Sequence, residues 1–331
     1  MEEITVPGAE ISTNDRSFTS VGLLPRAFSV LSRTAPSLAA EAASRLFVLA
    51  PRVPRPRGEA AAFLASGDAF TVPSAGRRLA AWSWGRGPAI LLAHGWGGRG
   101  AQMRAFVPPL VEAGYRAVVF DGPAHGFSGG FSTNLPAMAD AIAGVARATG
   151  ARGVVAHSMG GVSTLVALSR GLSLSRAVIV GAPSSAERIW RGFSRGLGLP
   201  DAVAADARRR LERRVGVNFG ELNVSSFALR ITAPVLVVHD RKDEEVPWSE
   251  GEENARLLSG GHLVTTHGLG HRRILRDRGV VEQVVRFLEE GIAPERCEVC
   301  SRGLGTAGTG TLCGSCGLGR ELFEPDSRFA A

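Results

Sequence analysis

Short apolar runs broken by polar turns set the rhythm of the chain from residue 69 onward: AILLAHG, YRAVVFD, GVVAHS, RAVIVGAP, PVLVVHD and HLVTTHG. Each is too short for a typical helix and is apolar on both faces. Helix-patterned stretches such as LPAMADAIAGVARATG, MGGVSTLVALSRG and RRILRDRGVVEQVVRFLEEG alternate with them. The alternation predicts a parallel sheet buried between two helix layers. Ahead of it, AFTVPSAGRRLAAWSWG holds two β-rich runs around Ser74-Ala75-Gly76, which predicts a hairpin. Further upstream, Leu38, Ala42 and Leu46 recur at i+4 until Pro51 stops the pattern, and the stiff PRVPRPRG follows. This reads as a short amphipathic helix packed on the main domain, then a linker; the alternative is an entrance flap or a membrane-surface helix. Residues 184–232 read as two or three short helices forming a lid. The expected organisation is a helical extension and linker over 1–66, an α/β domain over 67–292 with its cap at 184–232, and a tail over 293–331.

Composition narrows the function classes. With 44% hydrophobic and 21% charged residues the 331-residue chain is globular. The net charge of +7 invites a nucleic-acid reading, but all of its basic residues except Lys242 are arginine and the excess is spread along the body of the chain. That argues for a biased residue choice over a dedicated phosphate-binding face, so no nucleic-acid partner is expected. The start MEEITVPGAE lacks a basic region followed by an apolar one, and no run of apolar residues is long enough to span a membrane. A cytoplasmic address is the expectation.

In such sheets function collects in the loops leaving the carboxyl ends of the strands. The runs here end at His94-Gly95, Asp121-Gly122, His157-Ser158, Asp240 and the stretch from Gly268 to His271. Ser158 stands between a strand and the helix MGGVSTLVALSRG, a tight strand-turn-helix that lifts a hydroxyl clear of the sheet. The residues two before and two after such a serine have to be small, because strand and helix pass close together. Ala156 replaces the usual glycine before it; Gly160 and Gly161 supply room after it.

Residues 69–292 resemble the serine hydrolases of the α/β-hydrolase superfamily. The resemblance rests on HGWGG at 94–98, DGPAHGFS at 121–128, AHSMGG at 156–161, DRKDEEVP at 240–247 and GLGH at 268–271, in that order. It implies the α/β-hydrolase fold: a mostly parallel central sheet, helices on both faces and a small helical cap. It also implies a serine nucleophile, Ser158, an acid, Asp243, and a base, His271, in the chain order the family uses. His267 is the nearest rival base. Asp240 is the rival acid, while Glu244 and Glu245 look solvated. The oxyanion hole would be formed by the backbone N–H groups of Trp96 and Met159. His94, His125 and His157 read as loop-shaping hydrogen bonders, His239 and His262 as packing residues, and Asp121 as a loop tie. An aspartate nucleophile is disfavoured because the elbow carries Ser158.

The expected substrate is a carboxylic ester with a small to medium apolar acyl or alkyl group, its pocket lined by Trp190, Phe193, Phe219 and Phe227. Arginines at 188, 191, 195, 208–210, 213 and 214 leave open a thioesterase or acyltransferase acting on an anionic acyl carrier. A different class also stays open: an idle hydrolase-fold scaffold that docks a protein partner. Catalysis by this set of residues calls for no cofactor.

The tail carries two C-x-x-C pairs, Cys297/Cys300 and Cys313/Cys316. Four thiolates so spaced suit one tetrahedral ion, zinc first and iron second, in a closed structural site of the zinc-ribbon kind. Residues 293–331 hold four arginines against five carboxylates, which is no electrostatic footprint for nucleic acid.

Overall fold

The computed structural model describes residues 23–51 and 54–291. At its centre are eight strands: β1 (Asp68–Ser74), β2 (Arg77–Trp84), β3 (Ala89–Ala93), β4 (Arg116–Phe120), β5 (Ala151–His157), β6 (Arg176–Val180), β7 (Val235–Asp240) and β8 (Gly261–Thr266). They line up in the order β1-β2-β4-β3-β5-β6-β7-β8. The first two pair antiparallel with each other, β2 pairs antiparallel with β4, and all later neighbours are parallel. The expected hairpin closes with Ser74 opposite Arg77. Its two turn residues both have positive φ, Ala75 at 46° and Gly76 at 74°. This left-handed pair matches the twist of the strands it joins.

Every residue of β3 and β7 is buried, and so are the four carboxyl-terminal residues of β6. Runs of Val, Ile and Leu covered on both faces are what a sheet between helix layers requires. β8 sits at the edge, and its residues are half-buried or exposed. The chain places β4 on one side of β3 and β5 on the other. The loops after β3 and β5 therefore diverge, which opens a crevice at the carboxyl ends of the strands.

The helices begin and end where the sequence provides caps. Asn134 accepts a hydrogen bond from Ala137 N at 2.8 Å to start Leu135–Thr149, and Gly150 ends that helix in the left-handed conformation. Asp277 caps Arg278–Glu289 in the same way. The helix Met159–Ser169 is buried along nearly its whole length, which explains why its sequence is apolar all round.

The described residues divide into two compact units. One comprises the sheet and its helices, Val48–Glu187 and the chain from Glu212 onward. The other joins the residues up to Phe47 with Arg188–Leu211. In this second unit the ring of Phe47 meets Trp190 at 5.2 Å and Phe193 at 5.0 Å, both edge-on. Arg210 reaches Glu41 at 3.4 Å and Ser37 Oγ at 2.9 Å. The predicted upstream helix is present as Pro36–Val48, but its buried residues are Ala39, Ala40, Ala43 and Ser44, while Leu38 is exposed. The i+4 stripe found the helix and missed its face, since small residues let it pack closely. The two C-x-x-C pairs lie outside the described residues.

Candidate active site

Ser158 follows β5 directly and precedes the helix that begins at Met159. Its backbone takes φ 52° and ψ −122°, one of three positive-φ non-glycine residues among those described. Such strain persists only where the surroundings over-determine it. Here Ser158 N donates to Val180 O, and Ser158 O accepts from Gly161 N, each at 2.9 Å. The space around the turn is used up. A Cβ on Gly160 would stand 2.5 Å from His94 O, one on Gly161 2.6 Å from Ala182 Cβ, and one on Gly95 2.8 Å from Ser158 Cβ. Ala156, paired between Ala93 and Ile179 in the sheet, fits its methyl with no exposure. The departure from glycine before the serine is therefore accommodated.

The loops after β7 and β8 bring Asp243 and His271, the expected acid and base, together. His271 Nδ1 lies 2.7 Å from Asp243 Oδ2, with both side chains nearly inaccessible. Asp243 Oδ1 accepts from the backbone N–H groups of Glu245 at 2.9 Å and Val246 at 2.8 Å. Burial alone would raise the Asp243 pKa. Hydrogen bonds from His239 and His271, together with Val246 N–H, outweigh it and hold the carboxyl well below its usual range. The Nδ1 proton of His271 thus faces a fixed negative charge, which fixes the ring and leaves Nε2 as the working nitrogen.

Asp240 has another task. Its Oδ1 accepts from Lys242 N and Gly268 N, and its Oδ2 from Thr266 Oγ1 and Leu269 N. It ties the loop that bears Asp243 to the loop that bears His271. Although burial opposes it, the bonds from Thr266, Leu269 and Lys242 among others lower its pKa to about 2. His267 is exposed just after β8, whereas His271 is buried and is the imidazole that meets Asp243.

Three contributors were not foreseen in the sequence. His239 in β7, read as packing, sits fully buried with Nε2 2.9 Å from Val246 O and 3.5 Å from Asp243 Oδ2. Gly181, at the end of β6 with φ 56°, leaves the space the pair needs: a Cβ there would come within 3.2 Å of His271 Nδ1 and 3.3 Å of Asp243 Oδ2. Glu245, read as solvated, is exposed but reaches 3.9 Å from His271 Nε2. No chain signal marks His239 or Gly181 apart from their place at strand ends.

The HGWGG loop is held by two imidazoles. His94 Nε2 accepts from Gly122 N at 2.8 Å while Nδ1 donates to Gly95 O at 2.7 Å. His125 Nε2 accepts from Gly97 N at 3.0 Å while Nδ1 donates to Pro123 O at 2.9 Å. Each bond set demands a neutral ring, and burial lowers both pKa values to about 4. Asp121 accepts from Gly100 N and Phe127 N, and burial raises its pKa. The loop carrying Trp96 is thereby fixed beside Ser158, and the Trp96 ring stands edge-on to His125 at 5.8 Å. Met159, whose N–H was the other expected oxyanion donor, opens the helix after the serine. No cluster of three potential metal ligands occurs among the described residues, and none of their helices is long and apolar enough to cross a membrane.

Comparison with known proteins agrees with this fold. A family model described as alpha/beta hydrolase fold matches residues 88–197, and one described as TAP-like protein matches residues 221–300. Pimeloyl-[acyl-carrier protein] methyl ester esterase of Xanthomonas campestris pv. campestris is 34% identical over 137 residues, 41% of this chain and 47% of the relative. The match thus spans about half the length of the curated relatives. An esterase from Pyrococcus furiosus superposes with a TM-score of 0.58 at 21% identity, covering 74% of this chain and 97% of that one. A thermophilic esterase from Thermogutta terrifontis gives 0.53 at 19% identity, covering 68% and 100%.

Proposed function

We propose that this chain, which has the α/β-hydrolase fold, is a serine hydrolase that cleaves carboxylic esters with a small to medium apolar acyl or alkyl group. The observation that carries the reading is the 2.7 Å bond between His271 Nδ1 and Asp243 Oδ2, and the positive-φ turn at Ser158 supports it. Esterases among both the sequence relatives and the structural neighbours support it.

The chemistry follows from the groups available. Ser158 Oγ attacks the ester carbon as His271 Nε2 takes its proton, and Asp243 stabilises the imidazolium so formed. Negative charge collects on the former carbonyl oxygen, where the N–H groups of Trp96 and Met159 receive it; each donor of this kind is worth roughly 3 kcal/mol. The helix that starts at Met159 adds its positive end. His271 returns the proton to the departing alkoxide, leaving an acyl group on Ser158. Water deprotonated by the same imidazole then attacks that ester, and the imidazolium returns the proton to Ser158 Oγ as the acyl–serine bond breaks and the carboxylic acid leaves. Ester cleavage assayed on p-nitrophenyl acetate and butyrate tests the reading: turnover by the natural chain and its loss in Ser158→Ala are expected.

A second reading draws on the acyl-carrier substrate in the name of the Xanthomonas relative and on the arginines between 188 and 214. It makes the substrate an acyl group borne by an anionic carrier, and a faster reaction on carrier-bound than on free acyl esters would favour it. For the tail, we propose that Cys297, Cys300, Cys313 and Cys316 hold one structural zinc ion apart from the reaction, in a protein of the cytoplasm. Docking of a protein partner is the further role such a module would serve.

A further inference from the structure

Two pairs of side chains link the loop after β7 to the loop after β8, and the proposed reaction uses only the inner one. The inner pair is Asp243 and His271. The outer pair is Glu245 and Arg272: Arg272 Nε donates to Glu245 Oε1 at 3.0 Å. Glu245 Oε2 lies 3.9 Å from His271 Nε2. That nitrogen is the one turned away from Asp243, and it has to pass a proton to the departing alkoxide. The alcohol oxygen of the substrate must therefore come within hydrogen-bond reach of Nε2. Whatever stands beside Nε2 stands beside the alcohol portion of the ester.

Glu245 is well placed for a selective role. Its backbone N–H is fixed on Asp243 Oδ1 at 2.9 Å, so the residue cannot drift from the acid. Its side chain is 45% exposed, hence open to a substrate. Oε1 is committed to Arg272, and Oε2 is the oxygen nearer the base. The adjacent Arg273 is turned to the carbonyls of Leu269 and Gly268, at 3.0 and 2.7 Å.

We propose that Glu245 forms an anionic subsite for the alcohol portion of the substrate, so that esters of cationic alcohols are cleaved faster than neutral esters of the same shape. The inference rests on the serine-hydrolase reading and specifies its substrate class. Butyrylcholine and 3,3-dimethylbutyl butyrate share one acyl group and one shape and differ in charge. The readout is the ratio of their kcat/KM values in the full chain, in Glu245→Gln and in Arg272→Gln. At low ionic strength the natural chain is expected to favour the cation by about 5-fold, the scale of one unit charge met at a partly exposed site. Glu245→Gln should bring the ratio toward unity, Arg272→Gln should raise it, and added salt should shrink it. General damage to the loop would not move two variants in opposite directions. Turnover of both esters with a ratio indifferent to Glu245→Gln would overturn the assignment of Glu245 alone. No turnover of either ester by the natural chain would overturn the serine-hydrolase reading as well.

Discussion

The carbonyl of His271 accepts a hydrogen bond from His157 Nε2 at 2.9 Å, with the two rings 4.5 Å apart. The residue immediately before Ser158 thus holds the backbone of His271, the proposed base. His157 must be neutral to share this space, and burial, aided by His271, lowers its pKa to about 3.

Replacing His157 should loosen that coupling without touching the substrate. His157→Phe keeps the ring and removes the donor, so kcat is expected to fall about 10- to 100-fold with little change in KM, as misplacement of a base does. His157→Gln, which restores an N–H, should recover part of the loss. Steady-state kinetics on a p-nitrophenyl ester check both, and an unchanged kcat in His157→Phe would show that the tie does not position the base.

Asp243 and Asp240 separate chemistry from stability. Asp243→Asn removes the charge that orients His271 and is expected to lower kcat by about 10²- to 10⁴-fold while the protein stays folded. Asp240→Asn weakens four hydrogen bonds, three of them to the end of β8 and the loop after it, and should instead cost ~1–3 kcal/mol of stability. Parallel kinetics and urea unfolding distinguish them; the reverse outcome would mean that Asp240 is the acid.

Acid should unfold the protein earlier than its carboxylates alone require. His94 and His125 have folded-state pKa values of about 4 and His157 of about 3, all below the unfolded value of 6.5. Between those limits the unfolded chain binds more protons, so this stability is complete above about pH 6.5 and is lost as the pH falls. Each histidine contributes a slope of up to ~1.4 kcal/mol per pH unit. Asp121, raised by burial from 3.8, acts in the opposite sense at the lower end. Asp240 and Asp243, lowered from the same value, add to the loss only under about pH 4. Urea midpoints that fall steeply from pH 6.5 to 4.5 are expected; a flat profile would mean that these rings are not held neutral.

Most of the frame was legible before the structure, for identifiable reasons. Apolar runs alternating with helix patterns announce a covered parallel sheet, and the motifs that carry Asp243 and His271 lead to two side chains that the fold brings within 2.7 Å. What escaped depends on contacts between strands. His239 serves Asp243 because the turn after β7 folds back over it, and Gly181 matters only because β6 ends beneath the acid-base pair. Trp190 and Phe193 pack on Phe47, a partner far away in the chain. Periodicity carries no information about such distant neighbours.

The cysteine tail should be separable from catalysis. One zinc per chain is expected by elemental analysis, and a chelator should remove it and expose residues 293–331 to protease, since metal binding supplies the folding free energy of so short a segment. Ester cleavage should persist after chelation or after truncation behind residue 292. Activity lost in proportion to zinc removed would make the tail part of the working site.

The central claim is that Ser158 is the nucleophile, and active-site labelling tests it most directly. A fluorophosphonate probe should form one adduct per chain, located by peptide mass spectrometry at Ser158, with ester cleavage falling in step with labelling. Ser158→Ala should take no label and lose at least about three orders of magnitude in activity, as removal of a nucleophile that works as a unit does. A label on another residue, or a Ser158→Ala variant that keeps most of its activity, would contradict the account.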